Sequence, residues 1–194
     1  MQDLLFQYTK QFITISEDDF QNFVKYFEVR SFKKKDFALK EGEYCNFEGF
    51  VIDGCFKVYF LNEQGNEQIL YFAIKDWWIT DLDSLINNVP CSLSIEALED
   101  STIFFISKKN KEYLYNTMPQ IEKLFRIMNQ KSSASLQRRI LSLMNKTADK
   151  RYLEFLDKYP TLEQRINQQQ VASYLGISHE FLSKIRKKIS LGKN

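Results

Sequence analysis

The stretch QQQVASYLGISHEFLSKIRK, residues Gln168–Lys187, decides how this chain is read. It describes two short helices joined by a tight turn. Val171, Ala172 and Leu175 give the first helix one apolar face. Gly176 stands where the chain must turn and a residue without Cβ does so at least cost. Ile177 packs beneath the turn. Ser178 takes an N-cap position, and Glu180 in the next turn suits the helix dipole. Leu182, Ile185 and Ile189 space an apolar stripe by three and four. His179, Glu180, Ser183, Lys184 and Lys187 are left facing outward. A helix-turn-helix needs this division: its second helix holds the first with one face and enters a DNA major groove with the other. An ordinary pair of packed helices would share the apolar offsets.

Charge separates the two readings. From Leu136 to Asn194 there are 12 Lys+Arg and 5 Asp+Glu, a balance of +7; from Met1 to Ser135 there are 15 and 20, a balance of −5. A formal net charge of +2 therefore hides a basic C-terminal part on an acidic N-terminal part, the asymmetry expected of a nucleic-acid module joined to something else.

A length of 194 residues allows two small domains, and 44% hydrophobic content with 17 Phe and 10 Tyr gives aromatic-rich cores. No apolar run approaches the roughly 18–20 residues that cross a bilayer. The opening MQDLLFQYTKQF lacks a basic start and a long apolar core, so no secretory signal and no membrane contact are expected, and a cytoplasmic location follows by default. Cys45, Cys55 and Cys91 are scattered and odd in number, which argues for reduced thiols rather than a disulfide framework or a metal site. With one histidine in the chain, His179, neither a histidine-based metal centre nor a catalytic triad is supported; no phosphate loop is visible, and an enzyme is not expected.

Asp3–Phe12 and Ser16–Phe27 read as helices, the second opened by Ser16 and three acids, with Phe20, Phe23, Val24 and Phe27 inward. The period then falls to two. Strands are predicted over Glu28–Phe32, Phe37–Leu39, Gly49–Ile52, Cys55–Leu61, Glu67–Ile74, Trp78–Thr80, Leu93–Ala97 and Ser101–Ser107. Asp53-Gly54 and Gly65-Asn66 are hairpin signals. Many short strands with frequent turns indicate a sandwich or jelly roll. Lys108–Asn116 is a short helix. Pro119 opens a helix to about Thr147, long enough to suggest pairing with a second copy through Ile121, Leu124, Phe125, Met128, Leu136, Ile140 and Leu143. The alternative is a helix covering one face of the sheet. Asp149–Tyr159 is amphipathic, with Tyr152, Leu153, Phe155 and Leu156 inward, and Pro160 ends it.

The fold class expected is α+β: an N-terminal jelly-roll sensor domain over 1–118 flanked by helices, a long dimerisation helix over 119–147, and an all-helical helix-turn-helix domain over 148–194. This order, together with Leu39-Lys40-Glu41-Gly42-Glu43, the Phe50–Val58 segment, Asn62–Ile69 and Lys150–Leu156, resembles the Crp-Fnr family of bacterial transcription regulators across nearly the whole length.

The resemblance implies an effector pocket in the jelly roll. In cyclic-nucleotide-binding relatives a Gly-Glu-Leu turn and an Arg-Ser/Thr-Ala segment hold the nucleotide; their counterparts here are Thr80-Asp81-Leu82 and Cys91-Ser92-Leu93. Cys91 carries no charge where the arginine would neutralise the phosphate, so tight cyclic AMP binding is not expected. No cysteine precedes Cys45, which speaks against the family's iron–sulfur branch, and the sensor region has no histidine for haem. No cofactor is expected, and the small-molecule effector stays unidentified. Cys91 is either a redox or ligand-sensing thiol or a small buried side chain. Trp77-Trp78 either walls the pocket or packs on the long helix.

The resemblance also implies a homodimer on double-stranded DNA, with RNA polymerase as a further partner. By position, His179, Glu180, Ser183 and Lys184 read bases, while Asn167, Gln169, Arg186, Lys187 and Lys188 hold phosphates. The family's β-hairpin wing has no counterpart in Ser190–Asn194. A sensor whose C-terminal helices bind a protein partner is the alternative.

Overall fold

The structure, a computed structural model, describes residues 2–191; Gly192-Lys193-Asn194, part of the tail in which no wing is expected, lie outside the described residues. The chain divides into two compact units. One comprises the residues up to Phe60 and Leu70–Lys131; the other comprises Leu61–Ile69 and the chain from Ser132 onward.

The first unit opens with α1 (Gln2–Lys10) and α2 (Glu17–Val24). Ser16 caps α2, its hydroxyl accepting from the Asp19 amide at 3.1 Å. Eight strands follow: β1 (Glu28–Phe32), β2 (Phe37–Leu39), β3 (Phe47–Asp53), β4 (Cys55–Leu61), β5 (Glu67–Ile74), β6 (Trp78–Ile79), β7 (Ser94–Ala97) and β8 (Ser101–Ser107). They form two four-stranded sheets, β1-β8-β3-β6 and β2-β7-β4-β5, with antiparallel pairing along β1–β8, β8–β3 and β4–β7. The alternation of β-branched and aromatic residues puts Phe47, Val51, Phe56, Val58, Ile95, Ile103 and Phe105 into one core between the sheets.

Asp53-Gly54 is not a hairpin, contrary to expectation: β3 and β4 lie in different sheets. Gly54 has φ +92°, and a Cβ there would stand 2.1 Å from Ser101 Oγ, so the glycine lets the chain turn a corner against Ser101. Gly65-Asn66 does join neighbouring strands. Asn62 Oδ1 gathers the amides of Gln64 and Asn66 at 3.0 and 2.9 Å in that turn.

Between β6 and β7 lies a helix that the periodicity did not predict, α3 (Leu82–Asn87). After β8 come α4 (Lys108–Thr117) and α5 (Pro119–Asn145). A second core joins α1, α2, β3, β8 and the start of α5 through Leu5, Phe20, Phe23, Phe50, Ile106 and Phe125. Ile121, Leu124 and Phe125 are at most 1% exposed and Met128 packs partly against the same core. That corrects their assignment to a dimer seam. They are used up inside their own chain, because the N-terminal half of α5 covers the first unit's aromatic face. Beside this core Lys111 on α4 reaches the buried Glu48 carboxylate at 2.8 Å.

The second unit holds the rest of α5, then α6 (Ala148–Lys158), a 3₁₀ turn (Leu162–Gln164), α7 (Gln168–Leu175) and α8 (His179–Leu191). Tyr152, Phe155 and Tyr159 point inward from the α6 segment, but Leu153 is 48% exposed, a second correction; Tyr159, fully buried, takes part in the core instead. The tip of the β4–β5 hairpin belongs to this unit. Ser173 Oγ on α7 donates to the Glu67 carbonyl at 2.6 Å and accepts from the Ile69 amide at 3.0 Å.

Candidate nucleic-acid interface and sensor position

Asn167 opens α7 with a reciprocal capping box: its Oδ1 accepts from the Gln170 amide at 2.9 Å, and its amide donates to Gln170 Oε1 at 3.0 Å. Gly176 closes α7 in the left-handed region, φ +65°, and the Ile177 amide reaches back to the Ala172 carbonyl at 3.1 Å. Ser178 then caps α8 by accepting from the Phe181 amide at 3.2 Å. This fixed turn seats Leu182 and Ile185 of α8 against Val171, Ala172 and Leu175, all at most 2% exposed. His179, Glu180, Ser183, Lys184 and Lys187 stand exposed on the other face. Its own amide, then the Ser178 hydroxyl, hold the Glu180 carboxyl below the usual glutamate range.

The residues expected to hold phosphate divide into two groups. Gln169 and Lys187 are exposed. Asn167 uses its side-chain oxygen in the cap. Arg186 lies 3.4 Å from Glu163, and Lys188 lies 2.5 Å from Asp149. Phe181, 46% exposed on α8, is a surface aromatic outside the predicted set; its signal in the sequence is an apolar residue off the stripe.

In the jelly roll, Asp81 caps α3, with Oδ1 accepting from the Ser84 amide at 3.1 Å. Asp81 is 2% exposed and its Oδ2 has no partner among the described residues. Thr80 Oγ1 donates to the Phe47 carbonyl at 2.9 Å; Leu82 is half-buried and Ser92 is exposed. The Cys91 thiol donates to the Lys40 carbonyl at 2.8 Å, and the Cys91 amide donates to Glu43 O at 2.7 Å. Burial first, then Asp81, push the Cys91 thiol upward. Burial, with Asp81 and Cys45 nearby, pushes the Tyr71 hydroxyl far above the ordinary tyrosine range. A thiol so placed is mostly protonated, the condition of a structural cysteine rather than a reactive one. This donor set does not fit a cyclic phosphate. The groups acting on Cys91 are a carboxylate, a second thiol and backbone atoms, and none supplies positive charge. Trp78 packs on the long helix, its ring 5.4 Å from Phe125.

Residues 29–117 match the family described as cyclic nucleotide-binding domain. No curated protein sequence matches the chain. Among solved structures it is similar to FixK2 from Bradyrhizobium japonicum, at 19% identity over 86% of each chain with a TM-score of 0.76. It is also similar to the c-di-GMP responsive global regulator CLP of Xanthomonas campestris, at 15% identity over 89% of this chain and 91% of that one, TM-score 0.73. A Eubacterium rectale protein assigned to the crp/fnr family gives 17% identity over 92% and 85%, TM-score 0.71. Among the described residues no helix is long and apolar enough to cross a membrane. Residues 29–117 are thus a cyclic nucleotide-binding domain, and along nearly its whole length the chain shares the fold of these solved structures.

Proposed function

We propose that this protein is a sequence-specific, DNA-binding transcription regulator of the Crp-Fnr type that works as a homodimer. One observation carries the reading: α8 turns His179, Glu180, Ser183, Lys184 and Lys187 outward from a capped, tightly seated helix pair. Glu180 accepts from cytosine N4, Lys184 donates to guanine O6 or N7, and Phe181 offers an apolar contact for a thymine methyl. Lys187 and Gln169 hold phosphate; Arg186 and Lys188 reach phosphate only by leaving Glu163 and Asp149.

In this reading residues 1–118 sense, 119–147 pair the copies and 148–194 bind DNA. Pairing uses the C-terminal half of α5, where Leu136, Ile140 and Leu143 recur at four and three with 37–56% exposure. Two copies then address half-sites about 34–36 Å apart on a pseudo-palindrome. An effector biases how the helices pair, and RNA polymerase reads the outcome. Cyclic AMP is not that effector, because Cys91 cannot balance its phosphate.

The test is selection of bound fragments from random duplex DNA, followed by titration of the winner and of scrambled DNA at several salt concentrations. A pseudo-palindromic winner bound more tightly than scrambled DNA, with affinity falling steeply with salt, is the expected result. No enrichment and no salt-dependent binding would overturn the reading. Exposed Phe181 favours the second reading, in which α8 docks on a protein; that reading predicts the same absence.

A further inference from the structure

The C-terminal half of α5, α6 and the end of α7, all within the second unit, enclose a groove of about 660 Å³. That size lies in the range of small-molecule sites. Its lining holds five cations, Arg138, Arg139, Lys146, Arg151 and Lys158, against two carboxylates, Glu154 and Asp157. Glu154 is already engaged, since Lys146 Nζ and Ser142 Oγ both donate to it. Asp157 is the other carboxylate of the lining.

Two of those are fixed by backbone. Arg151 donates to the carbonyls of Lys146 and Leu175 at 2.7 and 3.1 Å, and its Nε is buried with no partner among the described residues. Arg139 donates to the Tyr174 carbonyl at 2.7 Å and lies 3.8 Å from the centre of the Tyr174 ring. Carbonyls orient these guanidinium groups without cancelling their charge. Lys158 is packed beside them: burial, then Arg139, then Arg138, lower its pKa to about 8. Phe155 and Tyr174, with ring centres 5.4 Å apart, also line the groove.

We propose that this groove binds a phosphate-bearing small molecule of nucleotide size, held by Arg138, Arg139 and Lys158 above the Phe155–Tyr174 rings. A phosphate brings negative charge to a lining in which cations outnumber carboxylates, and guanidinium–phosphate bonds are charge-assisted and directional. Neither Cys91 nor any residue of α8 is among its lining residues. Since three helices line it, an occupant ties the pairing helix to the first helix of the helix-turn-helix and biases that arrangement.

The test is calorimetric titration of the full chain at pH 7 and constant ionic strength with phosphate, pyrophosphate and ATP. Saturable binding of pyrophosphate or ATP is expected. Arg138→Ala and Lys158→Gln should each weaken it at least tenfold; Arg138 is exposed, so its truncation spares the fold. The double variant Lys184→Ala/Lys187→Ala, which removes cations from α8, should bind as the parent does. No saturable binding of any probe, binding untouched by Arg138→Ala and Lys158→Gln, or binding lost with the α8 cations would overturn the proposal. The readout contains no DNA, so it stands or falls apart from the DNA-binding reading.

Discussion

Trp78 on β6 and Phe125 on α5 meet edge to face, with ring centres 5.4 Å apart and planes at 69°. Phe50 lies 5.3 Å from the same indole, and Tyr8 and Phe27 complete its surroundings at 6.5 and 6.4 Å. Trp78 stands two residues before Thr80-Asp81, so the segment in the family's effector position is joined to the start of the long helix by ring contacts. Trp78→Ala opens a cavity at this junction and should destabilise the chain by about 3–5 kcal/mol. Urea denaturation reads the loss. Trp78→Phe should recover part of it, since a smaller ring keeps the edge-to-face contact.

Glu48 and Lys111 make a different kind of junction. Their side chains are 5% and 11% exposed, and Lys111 also lies 5.3 Å from the Phe125 ring centre. Lys111→Met leaves a carboxylate buried without its cation and should cost about 3–5 kcal/mol. Glu48→Gln with Lys111→Met removes both charges and should restore most of that. A double-mutant cycle measured by chemical denaturation checks it: additive losses would mean the two groups do not interact.

Lys158 gives a pH dependence with a definite sign. Its pKa falls from the usual 10.5 to about 8, first through burial and then through Arg139 and Arg138. Between about pH 8 and 10.5 the unfolded chain holds a proton that the folded chain has released. Unfolding then takes up a proton, so stability rises with pH across that window and is flat on either side. Lys158→Met should abolish this contribution. The difference in urea midpoint between parent and variant, measured at pH 7.5 and 9.5, should therefore shrink or reverse as pH rises.

The sequence was most legible where a local rule acts alone. β1, β2, β4, β5 and β8 lie on the residues their alternation predicts, and Ser16 and Ser178 cap the helices they were expected to cap. Legibility failed where tertiary context decides. Asp53-Gly54 carries a hairpin signature, but Ser101 packs so close to Gly54 that the pair became a corner between sheets. α3, at six residues, is too short for a 3.6-residue period to show; its trace was Asp81 three residues before Ser84. Along α5 one continuous apolar pattern runs from buried Ile121 to exposed Leu143, and periodicity cannot tell which residues meet the chain's own core. For the candidate interface, the outward set on α8 was readable, whereas the ion pairs of Arg186 and Lys188 depend on Glu163 and Asp149, distant in sequence.

The two halves of α5 should respond oppositely to charge. Ile140→Asp or Leu143→Asp, on the exposed stripe, should turn a dimer into a monomer in analytical ultracentrifugation while leaving the melting temperature of the first unit unchanged. Ile121→Asp puts a charge into a fully buried site and should unfold that unit. A parent protein that sediments as a monomer would sink the pairing role.

The outward face of α8 separates two kinds of contact that binding curves can distinguish. Lys184 sits one turn beyond Glu180, on the face assigned to base edges, and Lys187 lies nearer the end of the helix. Lys184→Ala should cost roughly 1–3 kcal/mol on the selected site, relax preference at a single base position and leave scrambled DNA nearly unaffected. Lys187→Ala should weaken every sequence alike and reduce the slope of log affinity against log salt by about one per subunit. Binding isotherms on selected and scrambled duplexes at several salt concentrations make the comparison. If both variants lose affinity equally on both duplexes, α8 binds the DNA backbone only, and its sequence preference must come from elsewhere.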